Sequence, residues 1–217
     1  MKNSSSVKGE KYMQGMGPKY SFTGKMDYSY DPPLREIVNE YGAVGGWIEK
    51  EENLSQDGQC WVTPNARVFG DAKVSENAII CDYAQVYGRA IVKGNTCVSG
   101  NAQVYDDAYV DGSEKNGIVI TADAQVYGNA SVKGAVDIMD NAKVYGDTAI
   151  QGNIVTVAEN AEVYGKAELY DKATVCGNAK VFDEAKMRDS SKAEKNASIS
   201  GTRVLSGNQV VPTTIHL

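Results

Sequence analysis

A six-residue repeat is the sequence feature that most constrains this fold. It runs from about Cys60 to Val211, and its clearest form is Asn-Ala-x-Val-(Tyr/Phe)-Gly, as in residues 65–70 and 141–146. In each repeat, hereafter a hexad, a small residue is followed two positions later by an aliphatic one. Self-similarity at a fixed period defines the folding unit more strongly than local propensity does.

The pattern within a hexad predicts a short strand followed by a bend. The small and aliphatic residues are two apart, so both point to one side of a strand. The other positions are rich in Gly, Asn and Asp, which suit bends. Such a short strand cannot bury its apolar side alone. Stacking copies in parallel, about 4.8 Å apart, solves this problem and predicts a parallel β-solenoid.

The aromatic residues give the number of strands in a coil. Phe69, Tyr87 and Tyr105 are spaced by eighteen residues, so three hexads make one coil of a triangular prism, and about eight coils are expected. The rings should stack at one corner, where they either stabilise the stack or offer a contact surface to a protein or a sugar. These candidate partner-binding residues are Phe69, Tyr87, Tyr105, Tyr127, Tyr145, Tyr164 and Phe182.

Two slips interrupt the repeat. An insertion of four residues within 111–117 predicts a protruding loop, and an insertion of one residue near 152–154 predicts a bulge. Residues 1–18 are expected to form a disordered tail, residues 19–58 a cap over the first coil or a partner-binding segment, and residues 59–217 the solenoid. Within the cap, strands are expected at 20–23 and 47–49, and a helical turn or a strand at 34–38. The apolar end, 212–217, either folds over the last coil or leaves that coil as a dimer interface.

The outward positions of the strands predict one polar face and a cluster of apolar residues on the other two faces. A contiguous apolar patch on a protein surface marks a contact site. Either the N-terminal segment packs on this cluster or a second subunit does. The candidate apolar interface consists of Ile79, Ile91, Cys97, Tyr109 and Val119.

Composition excludes several classes of protein. The net charge of −6 argues against a nucleic-acid partner, because phosphate binding needs clustered Lys and Arg. The four cysteines lack a C-x-x-C spacing, which indicates reduced thiols and a cytoplasmic location. The polar first seventeen residues are not expected to form a signal peptide, and no apolar run is long enough to predict a membrane span.

The sequence resembles a known family. The step from Val68 to Ala72, aliphatic to small, looks like the hexapeptide repeat of left-handed parallel β-helices. Residues 45–55, Gly-Gly-Trp-Ile-Glu-Lys-Glu-Glu-Asn-Leu-Ser, followed by Cys60-Trp61-Val62 and the hexads, resemble the YdcK-type bacterial β-solenoid proteins from about Lys19 onwards. The resemblance implies an all-β, left-handed parallel β-helix.

The sequence constrains the function of the protein less than it constrains the fold. Hexapeptide β-helices include acyltransferases that use a His base and carbonic anhydrases that use His metal ligands, but this chain has one His, His216, outside every predicted strand. No phosphate loop or Ser/His/Asp set is present. We therefore expect no catalytic residue, cofactor or metal, and a non-enzymatic binding or scaffolding protein of bacterial or phage origin with a protein partner or a second copy of itself. The alternatives are a phage- or plasmid-borne inhibitor of a host enzyme and a hexapeptide-type acyltransferase.

Overall fold

The chain winds into a three-sided parallel β-solenoid, as predicted. The computed structural model describes residues 18–112 and 116–212. Pairing steps by one coil at a time: Arg67 pairs with Gln85, and Gln85 pairs with Gln103. Some of the predictions above concern residues outside the described part of the chain. They are those for residues 1–17, for residues 113–115 within the inserted loop, and for the end at 213–217.

The first face belongs to an eleven-stranded sheet, which also contains two antiparallel strands of the N-terminal segment. Across the described residues, its nine parallel strands show nine coils, one more than the spacing predicted. These strands are Val44–Ile48, Arg67–Val68, Gln85–Val86, Gln103–Val104, Gln125–Val126, Lys143–Val144, Glu162–Val163, Lys180–Val181 and Ser198–Ile199.

The second and third faces form one continuous sheet. The strands of the second face are Lys73–Val74, Ile91–Gly94, Tyr109–Gly112, Glu168–Asp171, Lys186–Met187 and Val204–Leu205. Those of the third face are Trp61–Val62, Ile79–Ile80, Thr96–Val98, Ile118–Ile120, Thr174–Val175, Lys192–Ala193 and Val210–Val211. Two long strands turn the corner between these faces and belong to both: Ser131–Ile138 and Ala149–Val157.

The core is a column of small and aliphatic side chains that point inward. Ala102 and Val104 are fully buried, whereas Gln103 between them faces outward. Each buried Val stabilises the stack by roughly 1.5–3 kcal/mol relative to an exposed one. The corners bend through left-handed residues such as Gly88, at φ 71°, where a Cβ would lie 2.9 Å from the Asp106 nitrogen of the next coil.

The N-terminal segment covers the edge of the first coil. Two antiparallel strands, Tyr20–Asp27 and Leu34–Asn39, extend the first face outward from Val44–Ile48, and a short 3₁₀ helix, Glu51–Asn53, follows. The Tyr20 hydroxyl donates a hydrogen bond of 2.8 Å to the Leu54 carbonyl. These strands satisfy backbone groups that an open solenoid edge would expose.

Parallel pairing begins before residue 59, the expected start of the solenoid. Trp47 pairs with Arg67, and Leu54 forms an isolated bridge with Val74, so residues of the expected cap already form the first coil. The hexad is absent there because the 3₁₀ helix replaces one bend. Residues 34–38 lie in a strand, not in a helical turn.

Candidate binding surface

Stacked aromatic rings occupy one corner of the solenoid. Consecutive ring centroids lie 4.8–5.0 Å apart, and their planes differ by at most 4°. Tyr30 covers the Phe69 end of the ladder at 5.2 Å. The ladder consists of Phe69, Tyr87, Tyr105, Tyr127, Tyr145, Tyr164 and Phe182. Because neighbouring rings cover each other's faces, the rings inside the row leave their edges and hydroxyls for a ligand, and partner binding by the ladder stays a prediction.

The ladder hydroxyls are weak acids. Burial raises the pKa of Tyr105 to about 12. Burial and the hydrogen bond that its hydroxyl donates to Glu162 Oε2, at 3.0 Å, raise the pKa of Tyr145 as well. Glu162 also pairs with Lys180 at 3.0 Å. At neutral pH these tyrosines are therefore neutral hydrogen-bonding groups and not nucleophiles.

An apolar strip runs along the third face through the first four coils. Its outward residues pair in register from coil to coil, and Ile79 and Val119 are 43% and 38% exposed. We call Trp61, Ile79, Cys97 and Val119 the third-face strip. The next outward residue, Asp137, ends the strip with a charge.

The five residues of the predicted apolar interface form two groups. Ile79, Cys97 and Val119 lie in the third-face strip, with Trp61, which the prediction left out. Ile91 and Tyr109 pair with each other on the second face. Trp61 could have been found from the hexad register, because it occupies the same outward position as Ile79.

The N-terminal segment reaches one end of the third-face strip. A Cβ on Gly45 would lie 2.7 Å from Cζ2 of Trp61, so the backbone at Gly45 lies against the indole ring. Val44 beside it is 44% exposed. The segment thus packs at the Trp61 end and leaves Ile79 and Val119 exposed.

Two of the four cysteines have thiols that favour the protonated form, and a third, Cys60, has its sulfur 3.1 Å from Lys19 Nζ. All four are free, and Cys60 is buried. Burial, together with the neighbouring Cys97, raises the pKa of Cys81 to about 12, and burial raises the pKa of Cys176. A thiol acts as a nucleophile only as the thiolate, which a raised pKa disfavours.

A polar cleft of about 430 Å³ lies at the corner between the second and third faces. Both slips of the repeat fall at this corner, one between Gly112 and Ile118 and the other at Ile154. The loop and the bulge were predicted from the two slips, but the cleft between them was not. Its lining residues are Asp111, Lys133, Gly134, Gln151, Gly152, Asn153 and Asp171.

The predicted bulge is centred on Ile154. Asn153 pairs with Ala135 and Val155 with Val136, which leaves Ile154 as the extra residue. Its φ of 91° is a rare conformation for a β-branched side chain, and 51% of the residue is exposed. Such strain costs about 1–3 kcal/mol and is concentrated at functional sites, so it draws attention to the adjoining cleft.

Within residues 18–112 and 116–212, no group of His, Cys, Asp or Glu is arranged to hold a metal ion. His216 lies outside this range. Across the same part of the chain, no helix is long and apolar enough to cross a membrane.

These features define the class of protein: a three-sided β-solenoid with a polar first face, an aromatic corner and an apolar strip. The family model described as YdcK Beta solenoid repeat matches residues 84–101, which is one coil, and confirms the resemblance to YdcK-type β-solenoids. A protein of Escherichia coli (strain K12) named "Uncharacterized acetyltransferase YdcK" is 48% identical over 40 residues. The match covers 18% of this chain and 12% of that protein.

The comparison corrects one prediction. The chain was expected not to be an enzyme, because it lacks the histidines that hexapeptide enzymes use. A relative named as an acetyltransferase contradicts that expectation. The absence of one catalytic residue type says nothing about other groups that could take its role.

Proposed function

We propose that this protein is a binding module that presents the third-face strip to a protein partner. The observation that supports the proposal is the run of outward apolar side chains on consecutive coils, two of them about two-fifths exposed. A contiguous apolar patch with a polar surround is typical of a contact site. The charged Asp137 and the polar first face limit where an apolar partner surface fits.

A parallel solenoid suits this role because its surface is rigid. Each coil is fixed by backbone hydrogen bonds to its neighbours, as in the 3.0 Å bonds from Gln85 to Ala102 and from Tyr87 to Val104. A rigid surface loses little conformational entropy on binding. The strip covers three inter-coil steps, about 14 Å, so an interface of the usual ~800 Å² per partner has to include neighbouring polar residues.

The test compares two double variants in capture from an E. coli lysate. Ile79→Asp with Val119→Asp places charges on the strip, and Gln85→Asp with Gln125→Asp places the same charges on the first face. We expect the unmodified protein and the first-face variant to retain one specific protein that the strip variant loses. Equal retention by both variants would refute the proposal. If the retained protein is an enzyme that loses activity when bound, the module is an inhibitor.

Light scattering tests whether the partner is a second copy. A dimer that the strip variant converts to a monomer, while the first-face variant stays dimeric, would assign the strip to self-association. A monomer in all three cases would assign the strip to a foreign protein. A dimer that neither variant dissociates would place self-association elsewhere on the solenoid.

Acetyl transfer is a second candidate, supported by the name of the E. coli relative. The shared 40 residues are a small part of that protein, so its activity reaches this chain only as a proposal. Acetyl-coenzyme A should then raise the melting temperature of the protein, and coenzyme A without the acetyl group should do so less. A melting temperature that neither compound changes would count against this candidate.

A further inference from the structure

The cleft at the corner between the second and third faces lies along outward side chains that are in register on consecutive coils. Asp111 pairs with Lys133, Lys133 with Gln151, and Gln151 with Tyr170. These side chains form an outward row parallel to the solenoid axis, about 4.8 Å apart at each step. Asn153 adds a second amide beside Gln151. The cleft is therefore elongated along the axis, and both amides lie between coils that carry tyrosines.

Two tyrosines lie beside the cleft, on the strands that supply Asp111 and Asp171, and both are held by hydrogen bonds. The Tyr109 hydroxyl donates to Asp111 Oδ2 at 2.9 Å, and the Tyr170 hydroxyl donates to Glu168 Oε2 at 2.7 Å. The Lys133 ammonium lies 5.3 Å from the centroid of the Tyr109 ring. Both rings are partly buried, so each is fixed in place while part of its surface faces outward.

The charges in the cleft oppose an anionic ligand. Asp111 and Asp171 supply carboxylates, and Lys133 is the cation among the lining residues. The Asp111 carboxylate also forms an ion pair with Lys93, with Oδ2 and Nζ 3.1 Å apart. A phosphate site would need clustered donors without carboxylates. Amides both donate and accept hydrogen bonds, which suits a neutral ligand with many hydroxyl groups.

The floor of the cleft is rigid. A Cβ on Gly134 would lie 2.3 Å from the Gly152 carbonyl oxygen, so the two coils touch through backbone alone. The bulge at Ile154 interrupts the strand directly after Asn153 and bends it there. A bulge beside a cleft is a common device for aiming a side chain into a site.

We infer that this cleft binds a neutral oligosaccharide. The hydroxyls of the sugar hydrogen-bond to Gln151, Asn153 and the carboxylates, and its C–H faces contact Tyr109 and Tyr170. The row from Asp111 to Tyr170 covers three coil steps, about 14 Å, which matches a short oligosaccharide. The cleft shares no residue with the third-face strip, so sugar binding here does not depend on the protein-docking proposal.

The experiment follows the side-chain amide signals of the full chain by nuclear magnetic resonance. Maltotriose, cellotriose and triacetylchitotriose are each titrated, and inorganic phosphate serves as the anionic probe. At least one sugar should shift the Gln151 and Asn153 amide signals saturably. Gln151→Ala, observed at Asn153, and Asn153→Ala, observed at Gln151, should each weaken binding about tenfold.

The matched control is Gln103→Ala, which removes an outward amide from the first face. It should leave the sugar affinity unchanged, and backbone spectra of all three variants should confirm that each is folded. The inference is overturned if no sugar shifts either amide signal, if phosphate shifts them and the sugars do not, or if Gln103→Ala weakens binding as much as Gln151→Ala does.

Discussion

At the scale of single residues, position within the hexad decides the effect of a substitution. Val104 and Gln103 are neighbours, yet Val104 is fully buried and Gln103 faces outward between Gln85 and Gln125. The inward side chains of the three-sided column are buried. A polar group placed there must find a partner among backbone groups that already bond from coil to coil.

Val104→Asp should destabilise the protein by about 4 kcal/mol, because it buries a carboxyl group without a partner. Gln103→Asp should change the free energy of unfolding by less than about 0.5 kcal/mol, as surface substitutions usually do. Thermal unfolding of the two variants provides the measurement. Equal melting temperatures would contradict this assignment of inward and outward positions.

Ser191→Ala is expected to stabilise the protein. Ser191 is fully buried at the small inward position that most hexads fill with Ala, and its hydroxyl has no hydrogen-bond partner among the described residues. Removing a buried unsatisfied hydroxyl should raise the free energy of unfolding by about 1 kcal/mol. Urea unfolding measures the change, with Ser198→Ala on the outer surface as the control. Lower stability in Ser191→Ala would mean that the hydroxyl has a partner.

At the scale of elements, the aromatic ladder links every coil from the second to the eighth through one corner. Tyr127 stacks on two rings, at 4.8 Å on each side, whereas Phe182 stacks on one, at 5.0 Å. Stacking adds about 0.5–1.5 kcal/mol per pair beyond the burial of area. The stability lost when a ring is removed should therefore depend on the position of that ring in the ladder.

Tyr127→Leu should lower the free energy of unfolding through lost stacking by about twice as much as Phe182→Leu, because it removes two ring contacts instead of one. Leu keeps most of the apolar burial, so the difference reports ring stacking. The free energy of unfolding in urea is the measurement. A larger loss for Phe182→Leu would show that the ladder does not act through neighbouring pairs.

The repeat could be predicted from the sequence because its signal depends only on local spacing. Phe69 and Tyr87 are one coil apart in both sequence and space, so counting residues was enough. The pairing of the N-terminal segment could not be predicted by counting residues, because the contact of Tyr20 with Leu54 joins segments that share no repeat. The cleft could not be predicted for a different reason. The two slips can be read from the sequence, but the left-handed backbone at Ile154 and the row of side chains beside it depend on contacts between neighbouring coils.

At the scale of the whole molecule, titrating groups are distributed along the entire axis. Burial raises the pKa values of Tyr20 at the capped end and Tyr105 in the middle to about 12, from an ordinary 10.0. Burial also raises the pKa of Tyr164 near the other end. The folded state therefore retains protons that the unfolded chain releases above pH 10.

Stability should fall as the pH rises above about 10, because each buried tyrosine favours folding only while it is protonated. This contribution is fully present below the unfolded pKa and is lost as the pH rises through the folded pKa. Melting temperatures from neutral pH to about pH 11 measure the loss. Tyr105→Phe keeps the ring stack but cannot ionise, so its melting temperature should fall less steeply than that of the unmodified protein. Identical alkaline profiles for Tyr105→Phe and the unmodified protein would show that the ladder hydroxyls titrate alike in the folded and unfolded chains.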